Sequence, residues 1–137
     1  MTDESKTMLE IRDVTKTFVR NRTVFGRPNE TVKAVRNISL SVKQGETLGI
    51  VGESGSGKST LGRLIVRLDD VDSGEIVFEG EDLATLSKSK LRARRRDLQM
   101  IFQDPYASLD PTKSVGTSIS EPLRIYEKMT EEQRDAR

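Results

Sequence analysis

Apolar and polar positions alternate through the first third of the chain. Leu9 and Ile11, flanked by polar residues, predict an edge strand, and Ile38, Leu40 and Val42, interleaved with Ser39 and Ser41, predict a half-buried one. The stretch 21–30 between them is polar, carries Gly26 and Pro28, and reads as a loop insertion. Gln44 and Gly45 turn the chain into Glu46 to Val51, a short apolar run that predicts a buried strand. The period then changes. Leu61, Leu64, Ile65 and Leu68 fall at i, i+3, i+4 and i+7, which is one face of a helix. A turn at Asp72, Ser73 and Gly74 leads to a strand through Ile76 and Phe78, closed by Gly80. Further on, 87–96 predicts a very polar helix and 98–102 a buried strand ended at Asp104-Pro105. After a turn at Asp110-Pro111, Val115, Ile119, Leu123 and Tyr126 keep helical spacing, with Pro122 a kink. Thr130 and Gln133 have the spacing of a capping box, so another helix begins at about Glu131.

The switch from strand alternation to helical period falls on Gly52-Glu53-Ser54-Gly55-Ser56-Gly57-Lys58-Ser59-Thr60, which fits the pattern G-x-x-x-x-G-K-[ST]. Glycines here let successive backbone N–H groups converge on one point, the arrangement that a polyphosphate requires. Lys58 brings a point charge suited to β- and γ-phosphates, and the Ser59 hydroxyl is a hard oxygen suited to Mg²⁺. A helix starting at this point turns its positive end toward the same anion. A glycine-rich turn with a solvated lysine is the bland alternative. The strand before the loop and the helix after it are the context that the functional reading needs.

Composition narrows the classes. At 137 residues the length suits one domain. Lys and Arg number 23 and Asp and Glu 22, a net charge of +1, which gives no reason to expect nucleic acid or a membrane surface as partner. There is no cysteine and no histidine, so neither a disulfide, a thiolate metal site nor an imidazole base can come from these residues. No stretch approaches the roughly 20 apolar residues that span a bilayer, so membrane association is expected to come through a partner.

Three segments together carry a resemblance: Lys33-Ala34-Val35 through Val42, Gly45 through Leu61, and Met100-Ile101-Phe102-Gln103-Asp104-Pro105-Tyr106-Ala107-Ser108-Leu109-Asp110-Pro111. The chain resembles, over nearly its whole length, the ATPase subunit of ATP-binding-cassette (ABC) transporters, and most of all the oligopeptide and dipeptide importers. The resemblance implies an α/β fold, a P-loop NTPase of the ABC ATPase type with an N-terminal antiparallel β subdomain. Residues 1–45 would begin that subdomain, 46–103 would form the P-loop unit as far as the glutamine loop, and 104–137 would begin a helical subdomain. The cofactors implied are ATP and Mg²⁺. Gly52, Glu53, Ser54, Gly55, Ser56, Gly57, Lys58, Ser59 and Thr60 would hold the nucleotide, with Lys58 also catalytic. Gln103 matches the glutamine-loop residue, expected to touch Mg²⁺ or the attacking water. Phe18 stands where the family places an aromatic on the adenine. An apolar residue closing a hairpin explains Phe18 equally well. The partners implied are a second ATPase subunit, two transmembrane permease subunits and, indirectly, a solute-binding protein. The implied location is the cytoplasmic side of the membrane.

The remaining charged residues have plainer explanations. Arg92, Arg94, Arg95 and Arg96 read as a solvated helix face rather than a nucleic-acid contact. Asp104 reads as the cap of the turn at Pro105, and neither it nor Glu53 is given an acid–base role. The family's Leu-Ser-Gly-Gly-Gln signature, its apolar run ending in Asp-Glu and its switch histidine do not occur here. The last expected helix has only begun at Arg137. An incomplete domain, the first part of a longer ATPase, is therefore the expectation, hydrolysing ATP slowly or not at all by itself. The alternative is a non-hydrolysing nucleotide-binding fragment. A small P-loop kinase would leave Phe102 to Pro111 unexplained.

Overall fold

The computed structural model describes residues 6–22, 28–104, 109–127 and 129–136. They divide into two compact units, Met1–Leu98 and Gln99–Arg137. In the first, β1 (Thr7–Arg22) and β2 (Pro28–Lys43) form a long antiparallel hairpin, followed by α1 (Lys58–Ile65), β3 (Ser73–Phe78) and β4 (Glu81–Asp82). A single 3₁₀ turn, Leu83–Thr85, and α2 (Lys88–Arg94) complete the unit. The sheet is antiparallel, in the order β2-β1-β3-β4.

Alternation on β1 and β3 and helical spacing on α1 supply one shared core. Ile11, Val14, Val35, Leu61, Leu64, Ile76, Phe78 and Leu83 are buried together. The same core corrects the expected edge strand. β1 is interior: Leu9 pairs with Val42 on one side and with Phe78 on the other. Alternation reports which face of a strand is buried, but not what pairs with its edges. The expected loop at 21–30 is shorter than predicted, because β1 runs to Arg22 and β2 starts at Pro28. Phe25 and Gly26 lie outside the described residues.

Two further expectations are corrected. No strand forms at 46–51 or at 98–102. Leu48 and Ile50 are each 44% exposed, and Val51 and Ile101 are each 97% exposed. A strand needs a neighbour to complete its ladder, and the sheet among the described residues contains only β1 to β4. The helical period through Leu68 also overruns the helix. α1 stops at Ile65, Arg67 turns to φ 54°, and its guanidinium donates to the Leu83 carbonyl at 3.1 Å and to Asp70 at 2.7 Å. Leu68 is left exposed.

The hairpin is irregular where it bends. Asp13 (φ 48°) and Asn37 (φ 44°) adopt left-handed backbone, each stabilised by a side chain across the hairpin. The Asp13 amide donates to Ser39 Oγ at 2.9 Å, and the Thr15 hydroxyl donates to Asn37 Oδ1 at 2.8 Å. Asp72, just before β3, ties this bend to the rest of the unit. It accepts from the Thr17 amide at 2.6 Å and from Lys16 Nζ at 3.1 Å, while its own amide donates to the Thr15 carbonyl.

α2 buries no residue, as expected of a solvated helix, and Ser87 caps it. Arg94 leaves the solvated set: it pairs with Glu81 at 2.9 Å and Glu79 at 3.3 Å. The second unit contains α3 (Val115–Tyr126), capped by Ser114, and α4 (Glu131–Asp135). Pro122 sits inside α3. The capping box at Thr130 is formed in both directions: Gln133 N to Thr130 Oγ1 at 3.3 Å, and Thr130 N to Gln133 Oε1 at 3.0 Å.

Partial burial alone would raise the Asp72 carboxyl, but the Thr17 amide and Lys16 outweigh it and hold it below its ordinary value. A depressed carboxylate contributes stability that is full above its unfolded pKa and fades as pH falls toward the folded one. Asp72→Asn should therefore cost about 1 kcal/mol at pH 7, a figure reduced for solvent screening of a half-exposed group. The variant should lose less than the parent between pH 4.5 and pH 3. Urea unfolding at the three pH values measures this; equal acid sensitivity would show that Asp72 is not a source of it.

Candidate functional site

The loop Gly52 to Gly57 enters α1 directly. Gly57 takes the N-cap position with φ 95° and offers no side-chain acceptor, unlike Ser87, Ser114 and Thr130 at the starts of α2, α3 and α4. A capping side chain satisfies N–H groups that an anion would otherwise take. The uncapped start of α1 leaves the Lys58, Ser59 and Thr60 amides with no acceptor within the helix. Gly55 (φ 80°) and Gly57 both use backbone that disfavours a side chain. At Gly57 the constraint is also steric. An added Cβ would lie 2.1 Å from the Ala34 carbonyl oxygen, because β2 passes directly against the loop.

The Lys58 side chain folds back over the loop. Its ammonium donates to the carbonyls of Gly52 and Glu53, both at 2.7 Å, and to Ser56 Oγ at 3.3 Å. The charge is thus held at the rim of the loop by neutral acceptors, and among the described residues no carboxylate cancels it. A pocket of about 180 Å³ lies beside the loop, with Val32, Lys33 and Ala34 of β2 on one side and Gly55 to Thr60 on the other. Ser59 and Thr60 reach this pocket; Glu53 and Ser54 do not line it. An adjoining cleft of about 460 Å³ runs past Val35, Ile38, Ile50 and Leu61 and is more apolar.

Among the described residues no group of three His, Cys, Asp or Glu is placed to hold a metal ion. A divalent ion here would depend on the Ser59 hydroxyl and on oxygens brought by the ligand. That donor set suits Mg²⁺, which keeps few protein ligands. Phe18 lies on β1 opposite Val32 and is 40% exposed, with Lys16 Nζ 5.5 Å from its ring centroid. It lines neither cavity, though its strand partner Val32 lines the smaller one. Gln103 is an exposed residue of the second unit. The turn at Pro105, with Tyr106 and Ser108, lies outside the described residues. Sequence reasoning gave no site role to Val32, Lys33 and Ala34. Lys33 and Ala34 open one of the segments that carry the family resemblance, but only the path of β2 brings these three residues to the loop.

The family model for "ABC transporter" matches residues 35–137, and the chain belongs to that family. It is 52% identical over 123 residues to the glutathione import ATP-binding protein of Salmonella typhimurium, covering 90% of this chain and 20% of that protein. It is 48% identical over 131 residues to an oligopeptide transport ATP-binding protein of Bacillus subtilis, covering 95% of this chain and 40% of that one. Among solved structures it matches a dimeric bacterial ABC transporter cassette with a TM-score of 0.78 and 30% identity, covering 94% of this chain and 53% of that cassette. The same cassette in a post-hydrolysis state with ADP and Pi matches equally well. The chain therefore spans between a fifth and about half of the length of these relatives. The sheet and loop described above are those of an ABC ATP-binding cassette.

Gly55 and Gly57 separate the two costs. A Cβ at Gly55 meets open space, so Gly55→Ala carries backbone strain alone, on the order of 1 kcal/mol. Gly57→Ala adds the collision with Ala34 and should cost about 3 kcal/mol or more. Thermal unfolding of the two variants tests this; equal losses would mean that β2 yields without cost.

Proposed function

We propose that this chain is the nucleotide-binding part of an ABC importer ATPase that couples ATP binding and hydrolysis to uptake of peptide-like solutes. The observation that carries the reading is the α1 start without a capping side chain, beside a Lys58 ammonium that meets no carboxylate among the described residues, in a member of the ABC transporter family. The relatives named for glutathione import and oligopeptide transport support the substrate class.

On this reading Gly52 to Thr60 hold the phosphates through backbone N–H groups and Lys58. Ser59 offers its hydroxyl to Mg²⁺, which would neutralise phosphate charge when bound. Phe18 stacks on the adenine, and Gln103 orients the attacking water or touches the metal. Catalysis of phosphoryl transfer rests on positioning and electrostatic stabilisation rather than covalent chemistry. Residues 1–45, 46–103 and 104–137 serve as β subdomain, P-loop unit and start of a helical subdomain. A second ATPase subunit and two permease subunits are the partners, with a solute-binding protein acting through them at the cytoplasmic face of the membrane. Among the described residues no helix is long and apolar enough to cross a membrane, which is consistent with attachment through the permeases. These 137 residues hold no histidine. By themselves they bind nucleotide and hydrolyse it slowly or not at all.

Lys58→Ala removes a charged donor to the phosphates and should weaken ATP binding by about ten- to a hundredfold. Calorimetric titration with MgATP measures the loss. In the intact transporter the same change should abolish uptake of a labelled tripeptide or glutathione. ATP affinity equal to that of the parent would sink the assignment.

A further inference from the structure

β2 crosses the phosphate loop in a defined order. Val32 pairs across the hairpin with Phe18, Lys33 pairs with Thr17, and the Ala34 carbonyl abuts Gly57. From Val32 to Ala34 the strand advances about 7 Å, at roughly 3.3 Å per residue. Lys33 therefore stands between the residue opposite Phe18 and the residue against the loop. It lines both the 180 Å³ pocket and the 460 Å³ cleft. Lys33 is exposed, and among the described residues its side chain makes no hydrogen bond and no ion pair. Several other cations of this unit are engaged: Arg12 with Glu10 and Glu75, Lys16 with Asp72, Arg63 with Asp69, and Arg94 with Glu81. Arg36 also lines the larger cleft without an ion pair among the described residues, but it does not line the pocket beside the loop. A phosphate bound in the pocket would give the Lys33 ammonium the counter-charge that no side chain among the described residues supplies. The strand that carries Lys33 passes so close to the loop that a Cβ at Gly57 would collide with the Ala34 carbonyl.

We infer that Lys33 is a second phosphate-binding cation of this site and takes the α-phosphate of the nucleotide. The inference rests on the nucleotide-binding reading above. In an adenine nucleotide, ribose and α-phosphate lie between the base and the β-phosphate. With the base at Phe18 and the β- and γ-phosphates in the loop, the group that falls beside Lys33 is the α-phosphate. Lys58 and Lys33 then divide the polyphosphate between them: Lys58 senses the terminal phosphates, and Lys33 holds the phosphate common to ATP and ADP.

Calorimetric titration of the purified full-length protein with MgATP and with MgADP tests this, using the parent, Lys33→Gln, Lys33→Arg and Lys58→Ala. Lys33→Gln should weaken ATP and ADP equally, each by about tenfold, and Lys33→Arg should stay within about threefold of the parent because the charge is kept. Unchanged affinity in Lys33→Gln would overturn the inference. So would equal losses in Lys33→Gln and Lys33→Arg, which would show that charge is not what matters. A loss several times larger for ATP than for ADP would place Lys33 at the γ-phosphate and refute the α-phosphate assignment. If Lys58→Ala binds ATP as the parent does, the nucleotide-binding reading fails and takes this inference with it. A weakened Lys58→Ala beside an unaffected Lys33→Gln removes only the role of Lys33.

Discussion

The contact between Gly57 and the Ala34 carbonyl is the constraint on which the rest of the site depends. Gly57 must adopt left-handed backbone to turn the loop into α1, and at the same place β2 leaves no room for a side chain. The two demands coincide, so one residue both aims the first amides of the helix and sets how closely the hairpin approaches the loop. Every other feature of the site follows from that approach. The pocket beside the loop exists because β2 forms its second wall. The start of α1 has no capping side chain, which leaves its first amides open to an anion.

The hairpin reaches that position because β1 is interior and both strands bend. β1 is held between β2 and β3, with Ile11, Val14 and Ile76 buried on the core side under Leu61 and Leu64 of α1. The bends at Asp13 and Asn37 are secured by Ser39 and Thr15, and Asp72 fastens the strand beyond the bend to the start of β3. Nonpolar burial thus places α1 on the sheet, while a few short polar contacts decide the direction in which the far half of the hairpin runs. Electrostatics divides along the same line. Several surface cations of this unit are neutralised by carboxylates at 2.7–3.1 Å. Among the described residues Lys58 meets only carbonyl and hydroxyl oxygens, and the Lys33 side chain meets none.

Legibility followed the range of the interactions. The glycine loop that leads into a helix, the buried face of α1 and the capping box of α4 were readable because each is written within a few consecutive residues. The helix end was misread at Leu68 because Arg67 is drawn away by the Leu83 carbonyl, a partner sixteen residues on. The segments 46–51 and 98–102 have strand-like composition, and Val51 and Ile101 are nonetheless almost fully exposed. Composition states that a segment can fill a sheet position; it does not supply the neighbouring strand.

By itself the sequence determined the chemistry available to the protein. It sets a loop able to bind polyphosphate, rules out imidazole and thiolate chemistry among these residues, and carries enough of the cassette's motifs to place the chain in its family. These properties depend on residue identity at fixed short spacings, where the backbone leaves little choice. Only the tertiary structure decided that β1 is interior, that β2 walls the pocket, and that Lys33 stands between Phe18's partner and the loop. Those facts depend on which strand pairs with which and in what register. Such pairings are settled by the packing of distant apolar faces, and a local pattern of residues does not encode them.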